Sequence, residues 1–272
     1  MVNRKSNKQL LIKMKNFFFN SDKNLASTSR LKTVCFEETY GRHILRKVAT
    51  NLYVDKVLDI GFGEGHDLRI LREYFPSASL AAVDCKNVHF DKLKDIKVDF
   101  HRLNIEIDSL PFSNEKFDFV IANQVLEHVK ELFWVNHEVF RVLKPGGFFF
   151  IGVPNGLACH NRFLGNFGFH PTCNKSISAH VRIFSKDDVF LFYRFIGKNF
   201  CRIRGFYGSQ FYPFPKSIAR ILSMIFPNLA TSIFFLIEKI DSYNSEFIYH
   251  VQEAGLDTNF YLGPKQIKER NK

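Results

Sequence analysis

From residue 37 onward the chain alternates short apolar runs with stretches whose apolar residues recur at helical spacing. Residues 37–51 place Ile44, Leu45 and Val48 on one face, which predicts a helix. Residues 54–60 predict a strand, 65–74 a helix with Leu68 and Leu71 inward, and 80–84 and 98–103 two further strands. A fourth strand is predicted over 117–122, then a helix near 129–142 and a turn at Lys144-Pro145-Gly146-Gly147. A fifth, continuously apolar strand follows over 148–153. Residues 154–184 break the rhythm with Pro154, Asn155, Gly156, Gly165, Gly168, Pro171 and three histidines, and read as a long loop of the kind that usually carries function. Regularity returns at Ser185-Lys186-Asp187-Asp188, which has the form of a capping box opening a helix to about residue 196. A strand over 200–205, a helix near 217–225 and a strand near 232–238 complete the pattern.

Short apolar strands alternating with helices predict an α/β domain with a largely parallel sheet covered on both faces. Its expected limits are residues 37–239, with 154–184 as a substrate-side insertion. Residues 1–36 read as a basic N-terminal arm and 240–272 as a polar C-terminal tail.

Composition narrows the class without changing this picture. The chain has 272 residues, 46% of them hydrophobic and 24% charged, which suits a water-soluble domain. Cys35, Cys85, Cys159, Cys173 and Cys201 are odd in number and contain no C-x-x-C pair, which argues against a disulfide framework or a structural zinc site. Lys13 and Lys15 break the apolar run of the basic N-terminus, and Arg220, Pro227 and Asn228 break the longest later run. Neither a secretory leader nor a spanning helix is expected, and the reading is cytoplasmic. The net charge of +11 is unevenly placed. An acidic stretch over 51–135 is flanked by basic ones, which suit an anionic acceptor or surface as well as plain solvated faces.

The chemistry starts at residues 57–65, Val-Leu-Asp-Ile-Gly-Phe-Gly-Glu-Gly. An apolar strand there ends in an acid and opens into three glycines. Glycine accepts positive φ and lets a ligand lie against bare backbone. The spacing is G-x-G-x-G, not the G-x-G-x-x-G that seats a dinucleotide pyrophosphate. A carboxylate at Asp59 would repel phosphate and suit an ammonium group. Asp84, at the end of the second predicted strand, stands where an acid can accept hydrogen bonds from ribose hydroxyls.

Further motifs follow in register: Leu110-Pro111-Phe112, Phe117-Asp118-Phe119-Val120, Val125-Leu126-Glu127-His128 and Leu143-Lys144-Pro145-Gly146-Gly147. With residues 57–65 they resemble class I S-adenosylmethionine-dependent methyltransferases, closest to those that methylate small molecules. The resemblance is strong over about residues 38–155 and loose beyond. It implies a Rossmann-like three-layer sandwich with a seven-stranded, mostly parallel sheet whose last strand is antiparallel, and S-adenosylmethionine as cofactor. It also implies that Asp59 and the backbone of Gly61, Gly63 and Gly65 hold the methionine moiety and that Asp84 binds the ribose. Asn104, where the family often has an acid, would meet the adenine amine, and Ile105 would flank the adenine. Asn123 and Gln124 would lie beside the sulfonium.

An activated methyl requires an aligned nucleophile and removal of its proton, most often by histidine. His128, His160 and His180 are the candidates, in that order, with Glu127 and His128 also readable as a cap of the next helix. His160-Asn161-Arg162 and His180-Val181-Arg182 lack close carboxylates in sequence, so no metal is expected. The many phenylalanines and basic residues of 154–239 fit a small-molecule, lipid-linked or glycan acceptor, methylated at oxygen. The basic arm is a candidate for peripheral membrane contact. RNA or other nucleic acid is the competing substrate class, but Ala122-Asn123-Gln124-Val125 is not the Asn/Asp-Pro-Pro-aromatic box of enzymes that methylate exocyclic amines of bases. A non-catalytic cofactor-binding partner protein is the remaining alternative.

Overall fold

In the computed structural model, residues 38–86, 93, 95–173, 178–253 and 260–264 are described. The basic arm over 1–36 and residues 254–259 and 265–272 of the expected C-terminal tail lie outside them.

Seven strands form one sheet: β1 (Lys56–Ile60), β2 (Ser79–Asp84), β3 (Val98–Arg102), β4 (Phe117–Asn123), β5 (Leu143–Pro154), β6 (Cys201–Ser209) and β7 (Ser232–Lys239). Their spatial order is β3-β2-β1-β4-β5-β7-β6. β7 runs antiparallel to both β5 and β6, while the pairings from β3 to β5 are parallel. This is the doubly wound sheet, with its last strand reversed, that the sequence implied.

Pleating sends alternate residues to opposite faces. Val57, Phe119, Ile121, Phe150 and Phe234 pack under α1 (Arg42–Ala49) and α2 (His66–Tyr74), against Ile44, Leu45, Val48, Leu68 and Leu71. Leu58, Val120, Phe149 and Ile151 face the other way, toward Val135, Val139 and Phe140 of α3 (Leu132–Val142) and Val189 and Tyr193 of the later helix α5 (Lys186–Phe195). Both faces of the central strands are therefore dry, which is why they read as continuous apolar runs.

Three elements differ from the sequence expectation. The Lys144-Pro145-Gly146-Gly147 turn does not precede the fifth strand but is an irregularity within β5: Phe117 pairs with Leu143 while Phe119 pairs with Phe148, and Gly146 takes φ 80°. The expected loop 154–184 contains a helix, α4 (Cys159–Gly165), too short to show a periodic signature. In the expected C-terminal tail, α7 (Glu246–Glu253) packs Phe247, Ile248 and Val251 into the protein against α3. The capping box is present as read: the Ser185 side chain accepts from the Asp188 N–H, and the Asp188 carboxylate accepts from the Ser185 N–H at 2.8 Å. The amphipathic helix α6 (Lys216–Ile225) turns Ile218, Ile221 and Met224 to the exterior. Among the described residues, no helix is long and apolar enough to cross a membrane.

Candidate active site

The sheet winds outward in both directions from the boundary between β1 and β4. In doubly wound sheets the crevice beyond the strand ends at that boundary takes the ligand. The glycine turn lies there. Gly61, Gly63 and Gly65 have φ of 70°, 53° and 74°, the left-handed region that disfavours a side chain. The Gly61 N–H bonds the Val83 carbonyl at 2.8 Å and ties the turn to β2. The three glycines differ in what lies above them. A Cβ on Gly61 would sit 2.7 Å from Val125 Cγ2, and one on Gly65 would sit 2.1 Å from Leu93 Cδ2. Among the described residues, a Cβ on Gly63 would meet nothing nearer than the Gly61 oxygen at 4.0 Å. Gly63 thus opens bare backbone toward free space.

Asp59 lies beneath this turn, 2% exposed, and its Oδ2 has no hydrogen-bond partner among the described residues. Burial, reinforced by the charges of Asp67 and Asp84, holds its pKa well above the usual carboxylate range. A buried acceptor left unsatisfied is costly, and an ammonium donor would relieve it. Asp84 closes β2, where its carboxylate accepts the Lys86 N–H at 2.9 Å and the Gly63 N–H at 3.4 Å. Across β3, Asn104 is exposed and its amide oxygen accepts the Glu106 N–H at 3.1 Å, whereas Ile105 packs half-buried on the core.

Asn123, the last residue of β4, donates to the Asp67 carboxylate at 2.7 Å and to the Tyr40 carbonyl at 2.9 Å, and its Oδ1 has no partner among the described residues. Asp67 in turn holds Arg42 at 3.3 Å. Asp67 and Arg42 were not legible as site residues, because an acid in the first turn of a helix reads as a favourable partner for its dipole. Gln124 follows at φ 58°, with its Nε2 buried and without a partner among the described residues.

The three candidate histidines separate. His160 is buried on α4, 2.9 Å from Thr172 Oγ1 and edge-on to Tyr212, and burial lowers its pKa to about 4. His128 and His180 instead meet, with ring centroids 4.7 Å apart. Glu127 joins them, so the expectation that these histidines lack a nearby carboxylate does not hold. Glu127 is 1% exposed, and burial pushes its pKa to about 8. It does not cap α3; it sits in the 3-10 turn Leu126–His128, where its backbone carbonyl accepts the N–H groups of Val181 and Arg182 at 2.8 and 3.1 Å. Those two bonds fold the insertion back over the end of β4.

Beside this cluster lies a cavity of about 320 Å³ walled by Leu126, Ile151, Val153, Val181, Phe184 and Phe192. Its polar neighbours are already engaged: Arg182 donates to the Val129 carbonyl and Asp188 serves the capping box. Its lining is more apolar than polar. Of the phenylalanines expected to wall an acceptor pocket, Phe184 and Phe192 do so, Phe190 and Phe206 pack against the core, and Phe163, Phe167, Phe195 and Phe214 are exposed.

Fold and glycine turn together define a doubly wound domain with an open backbone crevice at its strand switch. Residues 58–151 match the model of the methyltransferase domain, and the chain is similar over this segment to S-adenosylmethionine-dependent methyltransferases. It is 32% identical over 100 residues to a sterol 24-C-methyltransferase of Schizosaccharomyces pombe, covering 35% of this chain and 26% of the relative. It is likewise 32% identical over 109 residues to a mitochondrial ubiquinone biosynthesis O-methyltransferase of Rattus norvegicus, covering 37% and 31%. The matched segment therefore spans less than half the length of these relatives. Among solved structures, a putative methyltransferase of Haloferax volcanii, in complex with the Trm112 methyltransferase activator, superposes with a TM-score of 0.56. The superposition covers 79% of this chain and 96% of that one, at 16% identity, and shows a shared fold.

Proposed function

We propose that this protein transfers a methyl group from S-adenosylmethionine to an oxygen of a small acceptor with an apolar body. The observation that carries the reading is the coincidence, at one strand switch, of the open backbone at Gly63, the unpartnered Asp59 carboxylate and the Asp84 carboxylate. When bound, the cofactor supplies an electrophilic sulfonium methyl. The protein's own groups supply the rest. Asp59 accepts the ammonium, Asp84 accepts from the ribose, and Ile105 covers one side of the adenine beside Asn104. Asn123 and Gln124 bring unpartnered amide atoms to the end of β4, where the reacting centre belongs.

The acceptor approaches from the side of the insertion. The cavity beside Leu126 and Val181 suits an apolar body, and the Glu127–His128–His180 cluster offers titratable groups for a hydroxyl proton. The sterol and ubiquinone names of the relatives accord with such an acceptor. Incubation of cell extract with methyl-labelled cofactor tests the reading: a labelled small molecule is expected with the wild-type protein and not without it. Asp84→Ala is expected to weaken cofactor binding by about 1.5–3 kcal/mol, roughly 10–150-fold, and to lower the yield in parallel. Unchanged binding in that variant would remove Asp84 from the site.

Asp59 also predicts a pH dependence. The ammonium group favours the ionised carboxylate, and the free site takes up its proton at a higher pH than an ordinary aspartate, whose pKa is about 3.9. Affinity for S-adenosylhomocysteine should therefore be greatest where Asp59 is ionised while the amino group of the ligand is still protonated. It should decline on acidification well before an unperturbed aspartate would titrate. Calorimetry across pH checks this, and Asp59→Asn should flatten the profile while lowering the affinity.

A further inference from the structure

The cluster at the end of β4 has features that a proton acceptor does not require. One ligand atom each from Glu127, His128 and His180 lies within 4.8 Å of the other two. Neither oxygen of the Glu127 carboxylate has a hydrogen-bond partner among the described residues, although the side chain is almost fully buried. Both imidazoles are oriented from behind. His128 Nδ1 lies 3.1 Å from the Ala179 carbonyl, and His180 Nδ1 lies 2.6 Å from the Cys173 carbonyl. A carbonyl only accepts, so each ring donates from Nδ1, and in the neutral ring this leaves the lone pair on Nε2. Metal-binding histidines are usually held in this way, with the second ring nitrogen donating to a carbonyl or carboxylate.

The backbone supports the same arrangement. The Glu127 carbonyl binds the amides of Val181 and Arg182, so the residue that supplies the carboxylate also fastens the segment that supplies the second imidazole. A simple packed histidine pair would not need a buried, unpaired acid beside it. A buried acid whose two oxygens have no partner among the described residues, beside two oriented imidazoles, lacks only a positive centre.

We propose that Glu127, His128 and His180 bind one divalent cation. Two imidazoles and one carboxylate suit Mn²⁺, Co²⁺ or Zn²⁺ better than Ca²⁺, which takes six to eight oxygens. Three protein ligands leave positions open for water and for a hydroxyl of the acceptor. A hydroxyl bound there becomes more acidic: its O–H bond breaks, the proton passes to water, and the oxygen keeps the electron pair while bound to the cation. This role toward the acceptor rests on the methyl-transfer reading. The binding of the cation does not.

Co²⁺ is the probe, because its visible absorption reports its ligands. Titration of the full chain, followed by absorbance and calorimetry, is expected to give one cobalt per chain. Glu127→Gln and His180→Ala should each weaken it by about 10–100-fold or more, whereas His170→Ala, at an exposed histidine, should not. S-adenosylhomocysteine titration of each variant reports whether the domain is folded. Wild-type protein that binds S-adenosylhomocysteine but takes up no cobalt would overturn the proposal. So would cobalt binding unchanged by both substitutions. Wild-type protein that takes up cobalt but not S-adenosylhomocysteine would overturn the methyl-transfer reading and leave the cation site standing.

Discussion

Gly63→Val is expected to reduce affinity for S-adenosylhomocysteine by at least roughly 100-fold while leaving the protein folded. The warrant is the difference between the three glycines of the turn. At Gly61 and Gly65 a new side chain would strike Val125 or Leu93, so a loss of binding there would be confounded with a loss of packing. At Gly63 its Cβ would have no atom of the described residues nearer than 4.0 Å. The cost to the fold is then confined to a left-handed backbone angle of 53°, about 1–2 kcal/mol. Thermal melts and calorimetry on the same sample separate the two quantities. A large fall in Tm with normal binding below it would contradict the assignment of Gly63 to the ligand face.

Glu138→Ala is expected to show the opposite pattern, a large loss of stability at a position away from the glycine turn. Glu138 is buried on α3 and accepts the Leu110 N–H at 2.6 Å and the Arg141 guanidinium at 2.7 and 2.8 Å. Arg141 continues to the carbonyls of Leu110 and Phe112. Removing the carboxylate leaves a partly buried guanidinium and a backbone N–H unpaired. Such a break costs about 3–5 kcal/mol, or roughly 6–20 °C in Tm for a domain of this size. Glu138→Gln keeps an acceptor for Leu110 and should lose less. Equal melting of Glu138→Ala and wild type would mean that this network does not hold the Leu110-Pro111-Phe112 segment.

This network marks a boundary of what the chain discloses by itself. Leu110 and Phe112 could be read as core residues, and they are buried. That an acid and an arginine on α3 fasten them could not, because the partners lie 28 to 31 positions apart and no local pattern joins them. The same holds at the strand switch. Asp59, the three glycines and Asp84 carry local signatures, so their convergence follows once the strands are ordered. Asp67, Arg42 and Tyr40, which brace Asn123, carry none. The insertion was legible as a break in periodicity but not as a clamp. His180 reaches His128 only because backbone amides of Val181 and Arg182 bind the Glu127 carbonyl, and backbone bonds leave no trace in residue type. Residues 240–272 misled for a different reason. Phe247, Ile248 and Val251 supply helical spacing over eight residues only, a signal too brief to stand out in a polar stretch.

The central claim is that the crevice above β1 and β4 holds the nucleoside cofactor of methyl transfer. Calorimetric titration of the wild-type protein with S-adenosylhomocysteine tests it most directly. The account predicts saturable binding of one equivalent per chain, abolished by Gly63→Val and weakened by Asp84→Ala. No binding heat and no rise in Tm at saturating ligand, from wild-type protein that melts cooperatively, would contradict it.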